Sequence, residues 1–457
     1  MSKGSWPIVA LGELLESIEA GSSFRCRETP PEDGEVGVAK VSAVSWGRYD
    51  EQESKTCLDP SRINTALLIR KGDFLISRAN TVELVGACVI AEQVRKQVML
   101  SDKTLRIQFK DPSLKPWVLH FLRSRSGREQ IEALCTGNQE SMRNISQRSL
   151  RMIGLPLAPP GQRQEILAFI EEQLSRADAT SKTLQAIQSK LKQARASILK
   201  AAVEGRLVGA KPILHDGQLE GENLTSIEVG DADRSSTAGK LRKKKASLSV
   251  PADVACAPLP DGWRWTTIDQ ESIFLKYGTS AKCGKDPDGV PVVRMGNIQD
   301  GAIVMDSIKY LPFDHAEFPD QLLTRGELLF NRTNSSDLVG KTAVFHGNQL
   351  HACASYIIRV KLKDTVLPEL VAYNLNGPSG RAWAQSVASQ QVGQANINSQ
   401  KLRAFYFAIP PFDVQQRIIA EVERRFSVLD QVEATVNASL RRCGQLRQAV
   451  LKRAFGG

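Results

Sequence analysis

The sequence predicts an α+β protein in which a domain of mixed β-sheet and helices occurs twice, with a long helix after each copy. Three observations carry that prediction. The stretch GDFLISRANTVELVG (72–86) returns as GELLFNRTNSSDLVG (326–340), about 254 positions later. The same order of apolar runs surrounds both copies, and a Pro-Pro pair followed by a heptad-patterned helix closes each half. Self-similarity on this scale governs the reading of every local segment.

Composition is consistent with such a plan. A chain of 457 residues exceeds one ordinary core, so two or more domains are expected. Hydrophobic content of 42% with 24% charged residues describes a globular protein. No apolar run approaches a membrane span, and the start MSKGSWPIVALGELL lacks a signal core, so no membrane association and a cytoplasmic location are expected. The eight cysteines, Cys26, Cys57, Cys88, Cys135, Cys256, Cys283, Cys353 and Cys443, contain no CxxC pair. Reduced thiols are expected, with no disulfide framework or zinc site. The five histidines form no HxxxH or HExxH spacing, so no metal is expected. A net charge of +10 suggests a polyanionic partner without establishing one.

The elements follow in the same order in each half. Each opens on tryptophan and a strand-like run, WPIVALGELLESIEAG from Trp6 and WRWTTIDQESIFLKYG from Trp263. Apolar stretches come next, VAKVSAV at Val38 and VVRMGNI at Val292, and then the repeated motif. Within it Asp73 aligns with Glu327, and Glu83 with Asp337. SDKTLRI (101–107) and ASYIIRV (354–360) alternate enough to be strands. Helical segments follow, PWVLHFLRSRSGREQIEAL and PELVAYNLNGPSGRAWAQSV. Polar loops then lead to RNISQRSL and ANINSQKL. Pro159-Pro160 and Pro410-Pro411 mark domain edges, because proline disfavours helix in the residue before it.

The long helices are expected at about Gln162 to Arg206 and Gln415 to Phe455, and they repeat without gaps at an offset of 252. In the first, Ile170, Ala177, Leu184, Leu191 and Ile198 recur every seven residues, with Ile187, Ala194 and Ala201 at the complementary position. In the second, Val422, Leu429, Val436, Cys443 and Val450 take those places, with Val432 and Leu446 between them. Such repeats suit helices that pack on each other. At 1.5 Å per residue each spans roughly 60–65 Å, more than one compact domain needs, so a helix pair joining the domains is expected. The expected division is 1–160, first domain; 161–207, first long helix; 208–258, a linker or mobile loop; 259–411, second domain; and 412–457, second long helix. KLRKKK (240–245) within the linker reads as a solvated run or a phosphate-binding patch.

No catalytic constellation stands out. GTSAKCGK (278–285) has five residues between its glycines and Asp286 where a phosphate loop needs Ser or Thr. IPPF (409–412) resembles the Asn/Asp-Pro-Pro-aromatic signature of amino-methyltransferases, but Ile409 cannot hydrogen-bond a target amine. Glu53-Ser54-Lys55 lacks a partner acid for nuclease chemistry, and Asn331-Arg332-Thr333 and Asn334-Ser335-Ser336 are chance glycosylation matches. No catalytic residue and no cofactor are expected.

The doubled order of Trp-led strand, GD-x-L-x-x-R-x-N-x-x-x-LVG, N-I-S/N loop, Pro-Pro and Gln-rich heptad helix resembles the specificity subunits of type I restriction–modification systems. The resemblance covers nearly the whole chain, and its most specific parts are LPDGWRW (259–265), IPPFDVQQRIIAEVERR (409–425) and LRQAVLKRAF (446–455). It implies two tandem target recognition domains separated by two long helices that form an antiparallel coiled coil, with pseudo-twofold symmetry. It also implies a non-catalytic subunit that binds double-stranded DNA and recruits two adenine methyltransferase subunits and, in a full complex, motor–nuclease subunits.

Two such readers on one frame would read two half-sites, and because their loops differ the site would be asymmetric. Candidate DNA-binding residues follow the first strand and occupy the polar turn before the N-I segment. They are Ser22, Ser23, Arg25, Arg27, Asn138, Gln139 and Arg143 in the first half. In the second they are Thr279, Ser280, Lys282, Lys285, Gln390, Gln391 and Gln394. Arg78 and Arg332 recur in both halves, so a structural or phosphate role is expected of them, and Leu84-Val85-Gly86 and Leu338-Val339-Gly340 read as core plus a tight turn. Two other classes stay open: a helical scaffold with two protein-binding modules, and a nuclease with a concealed site.

Overall fold

The computed structural model describes residues 6–45, 47–139, 142–209, 249–391 and 394–455; the basic run 240–245 and most of the 208–258 segment lie outside them. The chain divides into two compact units, Met1–Ala186 with Val436–Gly457, and Ile187–Thr435. The division falls inside both long helices, so each unit contains part of each.

In the first unit a four-stranded antiparallel sheet runs in the order Leu15–Ala20, Thr104–Phe109, Phe74–Ser77, Cys88–Ile90. A second sheet orders Cys26–Arg27, Ser54–Cys57, Val36–Ala39 and Gln97–Met99. A third joins Thr136–Gln139, Met142–Asn144 and Ala79–Asn80, and a two-stranded ribbon pairs Ile8–Ala10 with Gly154–Pro156. The second unit repeats the plan. Its four-stranded sheet is Ser272–Tyr277, Ile357–Leu362, Leu328–Asn331, Thr342–Val344. Its second sheet is Lys309–Leu311, Val290–Val293, Ala352–Cys353; its third is Thr333–Asn334, Gln394–Asn396, Ser389–Gln391; its ribbon is Arg264–Thr267 with Tyr406–Ile409. The sequence repeat is therefore a repeat of topology and register in the main sheet, the hairpin sheet and the ribbon, while the second sheet has four strands in the first unit and three in the second.

The repeated motif builds the middle of each main sheet. Phe74, Ile76, Leu328 and Phe330 are fully buried on the helix side, whereas Leu75 and Leu329, equally buried, face the other way, towards the second sheet. The acid of the motif anchors the neighbouring strand: Asp73 pairs with Arg106 at 3.1 Å, and Glu327 with Arg359 at 2.7 Å. Val85 and Val339 are buried as expected, but Leu84 is half-buried and Leu338 is 39% exposed. In the second unit the core side of that turn is occupied by Val339 and the close approach of Gly340, whose φ is +83°. A Cβ there would lie 2.8 Å from the Ala384 Cβ, so the position requires glycine. The arginine of a repeated Ser-Gly-Arg clamps the turn: Arg128 donates to the carbonyls of Val82 and Val85, and Arg381 to those of Asp337 and Val339.

The long helices run Pro160–Val203 and Phe412–Phe455. The first begins on proline, whose missing N–H is no loss in a first turn, and stops before Gly205 in the left-handed region. In the first unit Arg453 lies over the Phe169 ring and Arg447 pairs with Asp178, so the two helices run antiparallel. In the second, Arg195 pairs with Asp430 and Glu433 and lies over Phe426. Seventeen positions forward from Asp178 on one helix match seventeen positions back from Arg447 on the other. Each unit's core takes in the beginning of its own helix and the end of the other. Ile166 and Ile170 pack with Val450, Leu451 and Phe455 in the first unit, and Ile418 and Val422 with Leu199 and Ala202 in the second.

One heptad expectation is corrected. Val432 and Leu446 are 40% and 44% exposed. The packing positions of the second helix are instead Phe426, Glu433 and Leu440, half-buried, with Glu433 facing Arg195. An ion pair stands where an apolar pattern would place a leucine, which shifts the apparent repeat. Among the described residues no helix is long and apolar enough to cross a membrane.

Candidate nucleic-acid interface

The three-stranded sheet in each unit is a polar hairpin hung on the end of the repeated motif. In the first unit Arg143 faces Asn80 and Asn144 faces Ala79 across the ladder. In the second Asn396 faces Thr333 and Ala395 faces Asn334. The motif arginine fixes the hairpin by its backbone: Ile145 N donates to Arg78 O, and Ile397 N to Arg332 O, both at 2.9 Å. Those isoleucines are fully buried, and the next residue caps a short helix. Ser146 accepts from Ser149 N, and Asn398 from Lys401 N, which explains why Ser and Asn alternate there.

The arginine side chain then depends on the unit. Arg332 donates to Asn396 Oδ1 at 3.0 Å and lies 4.7 Å over the ring of Tyr277, while its Nε is buried with no partner among the described residues. Tyr277, 38% exposed, ends the first strand of the main sheet, and its hydroxyl accepts from Ser399 N. In the first unit Ala20 pairs at the corresponding strand end, so Arg78 has no such platform. Arg78 is half-buried and makes no ion pair among the described residues; Arg143 is half-buried with an unpartnered Nε. A planar guanidinium oriented by a ring and an amide oxygen is the kind of group that pairs with a phosphate or a base edge.

The first-strand loops reach the same place at their beginnings. Ser22 and Ser23 are exposed, and Ser23 donates to Asp102, beside Lys103, whose carbonyl accepts from Arg78 N. Thr279 is corrected to a structural role: it is 3% exposed, its hydroxyl accepts from Ala281 N, and its carbonyl accepts from Ser355 N. Burial leaves it no surface to offer a ligand. Ser280 is exposed.

Farther along, the loops leave the hairpin for the second sheet. Arg25 is exposed there and makes no ion pair among the described residues, while Arg27 is held by both carboxylate oxygens of Glu35 and by Thr29. Lys282 and Lys285 are exposed and make no ion pair among the described residues. Asn138 and Gln139 lie on one hairpin strand, Gln390 and Gln391 on its counterpart, and Gln394 is exposed on the return strand.

The structure thus brings Ser22, Ser23, Arg78 and the hairpin of Asn138, Gln139 and Arg143 to one edge of the first unit. It groups Arg332 with Gln390, Gln391 and Gln394 in the second, and leaves the basic residues of the loops beside or on the second sheet, away from the hairpin. Sequence reading missed Tyr277 and Asn396, which position Arg332. The available signal was an aromatic at a strand end in a chain with few aromatics. Among the described residues no group of three or more His, Cys, Asp or Glu could hold a metal ion.

No protein-family model matches the chain. It is 25% identical over 348 residues to the type I restriction enzyme EcoKI specificity subunit of Escherichia coli (strain K12), covering 75% of this chain and 65% of that one. It is 23% identical over 344 residues to the type I restriction enzyme StySPI specificity subunit of Salmonella potsdam, again 75% and 65%. The chain therefore spans 65% of the length of these curated relatives. A solved chain described under complex assembly and conformational transition of the type I R-M system superposes with a TM-score of 0.64 at 16% identity, covering 100% of this chain and 98% of that one. That likeness is one of fold.

Proposed function

We propose that this chain is a specificity subunit of a type I restriction–modification assembly, a non-catalytic subunit that reads an asymmetric, bipartite double-stranded DNA site with one half-site per domain. The domains on this reading are 1–160 and 259–411, spaced by the helices 161–207 and 412–457, with 208–258 as a linker. Two adenine methyltransferase subunits and motor–nuclease subunits are its protein partners, and they carry the chemistry.

One observation carries the reading. Residues that the halves share form the frame: the motif acids and their arginines, the buried motif strands, the Ser-Gly-Arg clamp and the helix caps. The hairpin hung from Arg78 or Arg332 carries different polar residues in the two halves, Asn138, Gln139 and Arg143 against Gln390, Gln391 and Gln394, and so does the loop after the first strand. A common frame with interchangeable polar edges suits two readers of different sequences. Arg, Asn and Gln are the residue types that pair bidentately with guanine and adenine in the major groove. The cationic loop residues Arg25, Lys282 and Lys285 suit the phosphate contacts that fix register.

The test is adenine methylation mapped across the genome with and without this gene. The reading expects a bipartite motif that vanishes on deletion, and an unchanged methylation map overturns it. In vitro, the assembled methyltransferase complex should bind duplex containing that motif with an affinity that falls steeply as salt rises. A protein scaffold would show no duplex affinity at any salt.

A further inference from the structure

The second sheet of the first unit sets two cysteines against each other. Cys26 is the register partner of Cys57 on antiparallel strands, so both thiols leave the same face of the sheet. Thr56 N donates to Thr29 O at 3.0 Å, so Thr56 is the residue whose backbone bonds toward the Cys26 side. Its neighbour Cys57 therefore faces Cys26 as a non-hydrogen-bonded pair. Such pairs have Cα atoms about 4.5 Å apart, inside the roughly 4.4–6.8 Å range at which disulfides close. Both cysteines are half-buried and flank the apolar cluster of Val36, Val38 and Met99. Burial and then the neighbouring Cys57 push the Cys26 thiol up, consistent with proximity.

The second unit supplies an internal comparison. Gly284 bridges Tyr310 with both backbone bonds formed, so the preceding residue, Cys283, aligns with Leu311. One cysteine survives in the repeat and its partner is leucine. The pair belongs to the first unit alone.

We propose that Cys26 and Cys57 are a redox-modification site that closes to a reversible disulfide when a peroxide reaches it. One thiol, as thiolate, attacks a peroxide oxygen; the O–O bond breaks, an S–O bond forms, and the departing hydroxide takes a proton to become water. The second thiol, as thiolate, then attacks that sulfur; the S–S bond forms, the S–O bond breaks, and a second water leaves. The two sulfurs are oxidised, the peroxide is reduced, and a dithiol reductant reverses the change by exchange. The bridge ties the strand segment beside Arg25 and Arg27 to Ser54–Cys57. Any effect on DNA rests on the proposed function, but the linkage does not.

The test treats the full-length reduced chain with equimolar hydrogen peroxide, blocks remaining thiols, and maps peptides by mass without reduction. A Cys26–Cys57 linked peptide is expected, absent from C26S and from C57S, and removed by dithiothreitol, with Cys283 still open to alkylation. Amide exchange over 24–29 should slow in the oxidised form. Sulfinic acid at Cys26 without a link, or a link from Cys26 to another cysteine in the wild-type chain, overturns the proposal. Because the readout needs no DNA, its failure is distinct from failure of the DNA-reading assignment.

Discussion

Trp117 packs edge-on against Phe455, with ring centroids 4.8 Å apart and planes inclined by 70°. Trp117 is fully buried in the first domain, and Phe455 is the end of the second long helix, more than three hundred residues later. Phe121 approaches the same ring at 5.7 Å. Phe455→Ala removes a near-buried aromatic from that cluster and should destabilise the first unit by about 3–5 kcal/mol. The second unit, whose core holds none of these residues, should be unaffected. Amide exchange resolved by unit, in the variant and the wild type, checks this; equal loss in both units would contradict it.

The Glu327–Arg359 pair is buried on both sides, with side chains 1% and 3% exposed. Burial alone would raise the Glu327 pKa, but the hydrogen bonds from Arg359 and Thr324 overcome it and hold the carboxyl below its ordinary value. Glu327→Ala leaves the guanidinium buried and unpaired, and should cost about 3–5 kcal/mol. Arg359→Met together with Glu327→Leu should recover most of that loss, because it removes both charges. Denaturant unfolding of the single and double variants decides the matter.

A histidine makes the first unit sensitive to acid. His120 is buried beside Arg123, and burial first, then that cation, lower its pKa to about 4. The folded value lies below the ordinary 6.5 of an exposed histidine, so the unfolded state binds the proton more readily. The stability contributed by a neutral His120 is therefore full above pH 6.5 and is lost as pH falls from 6.5 towards 4. By pH 5 the loss should be about 2 kcal/mol. Urea midpoints of wild type and His120→Gln between pH 7.5 and pH 5 should converge in acid.

Much of this architecture was legible because it is written twice. The motif at 72–86 and 326–340, the Pro-Pro stops and the heptads locate the main strands and both helices to within a few residues. What the sequence hid depends on partners far along the chain. The heptad pattern does not mark Glu433 or Arg447, yet Arg195 and Asp178 pair with them across the helices. Thr279 read as a loop residue, but the strand beside it covers it. Arg332 read as half of a matched pair, whereas only its unit supplies the tyrosine that orients it.

That asymmetry at the motif arginine separates positioning from reading. Arg332→Ala should weaken binding by the assembled complex about equally across sequences and reduce the slope of log affinity against log salt by about 1. Tyr277→Phe retains the ring under the guanidinium and should leave that slope unchanged. Substituting Gln390, Gln391 or Gln394 with alanine should instead relax one base position of one half-site, at about 1–3 kcal/mol for a bidentate contact. Methylation motifs of the variants distinguish the outcomes: if Arg332→Ala changes the motif rather than the amount methylated, the arginine is a reader.

The helix register dictates how a spacer test must be built. Because pairing runs antiparallel, with Asp178 on Arg447 and Arg195 on Asp430, residues inserted into one helix alone would slide every pair beyond the insertion. An insertion of seven residues after Ala186, matched by seven after Val436, keeps both ion pairs and the heptad phase. At 1.5 Å per residue it lengthens the helix pair by about 10.5 Å. That corresponds to roughly three base pairs at about 3.4 Å each. The methylated motif of such a variant should keep both half-sequences and gain about three positions between them. Unchanged spacing in a folded, active variant would show that the long helices do not set the distance between half-sites.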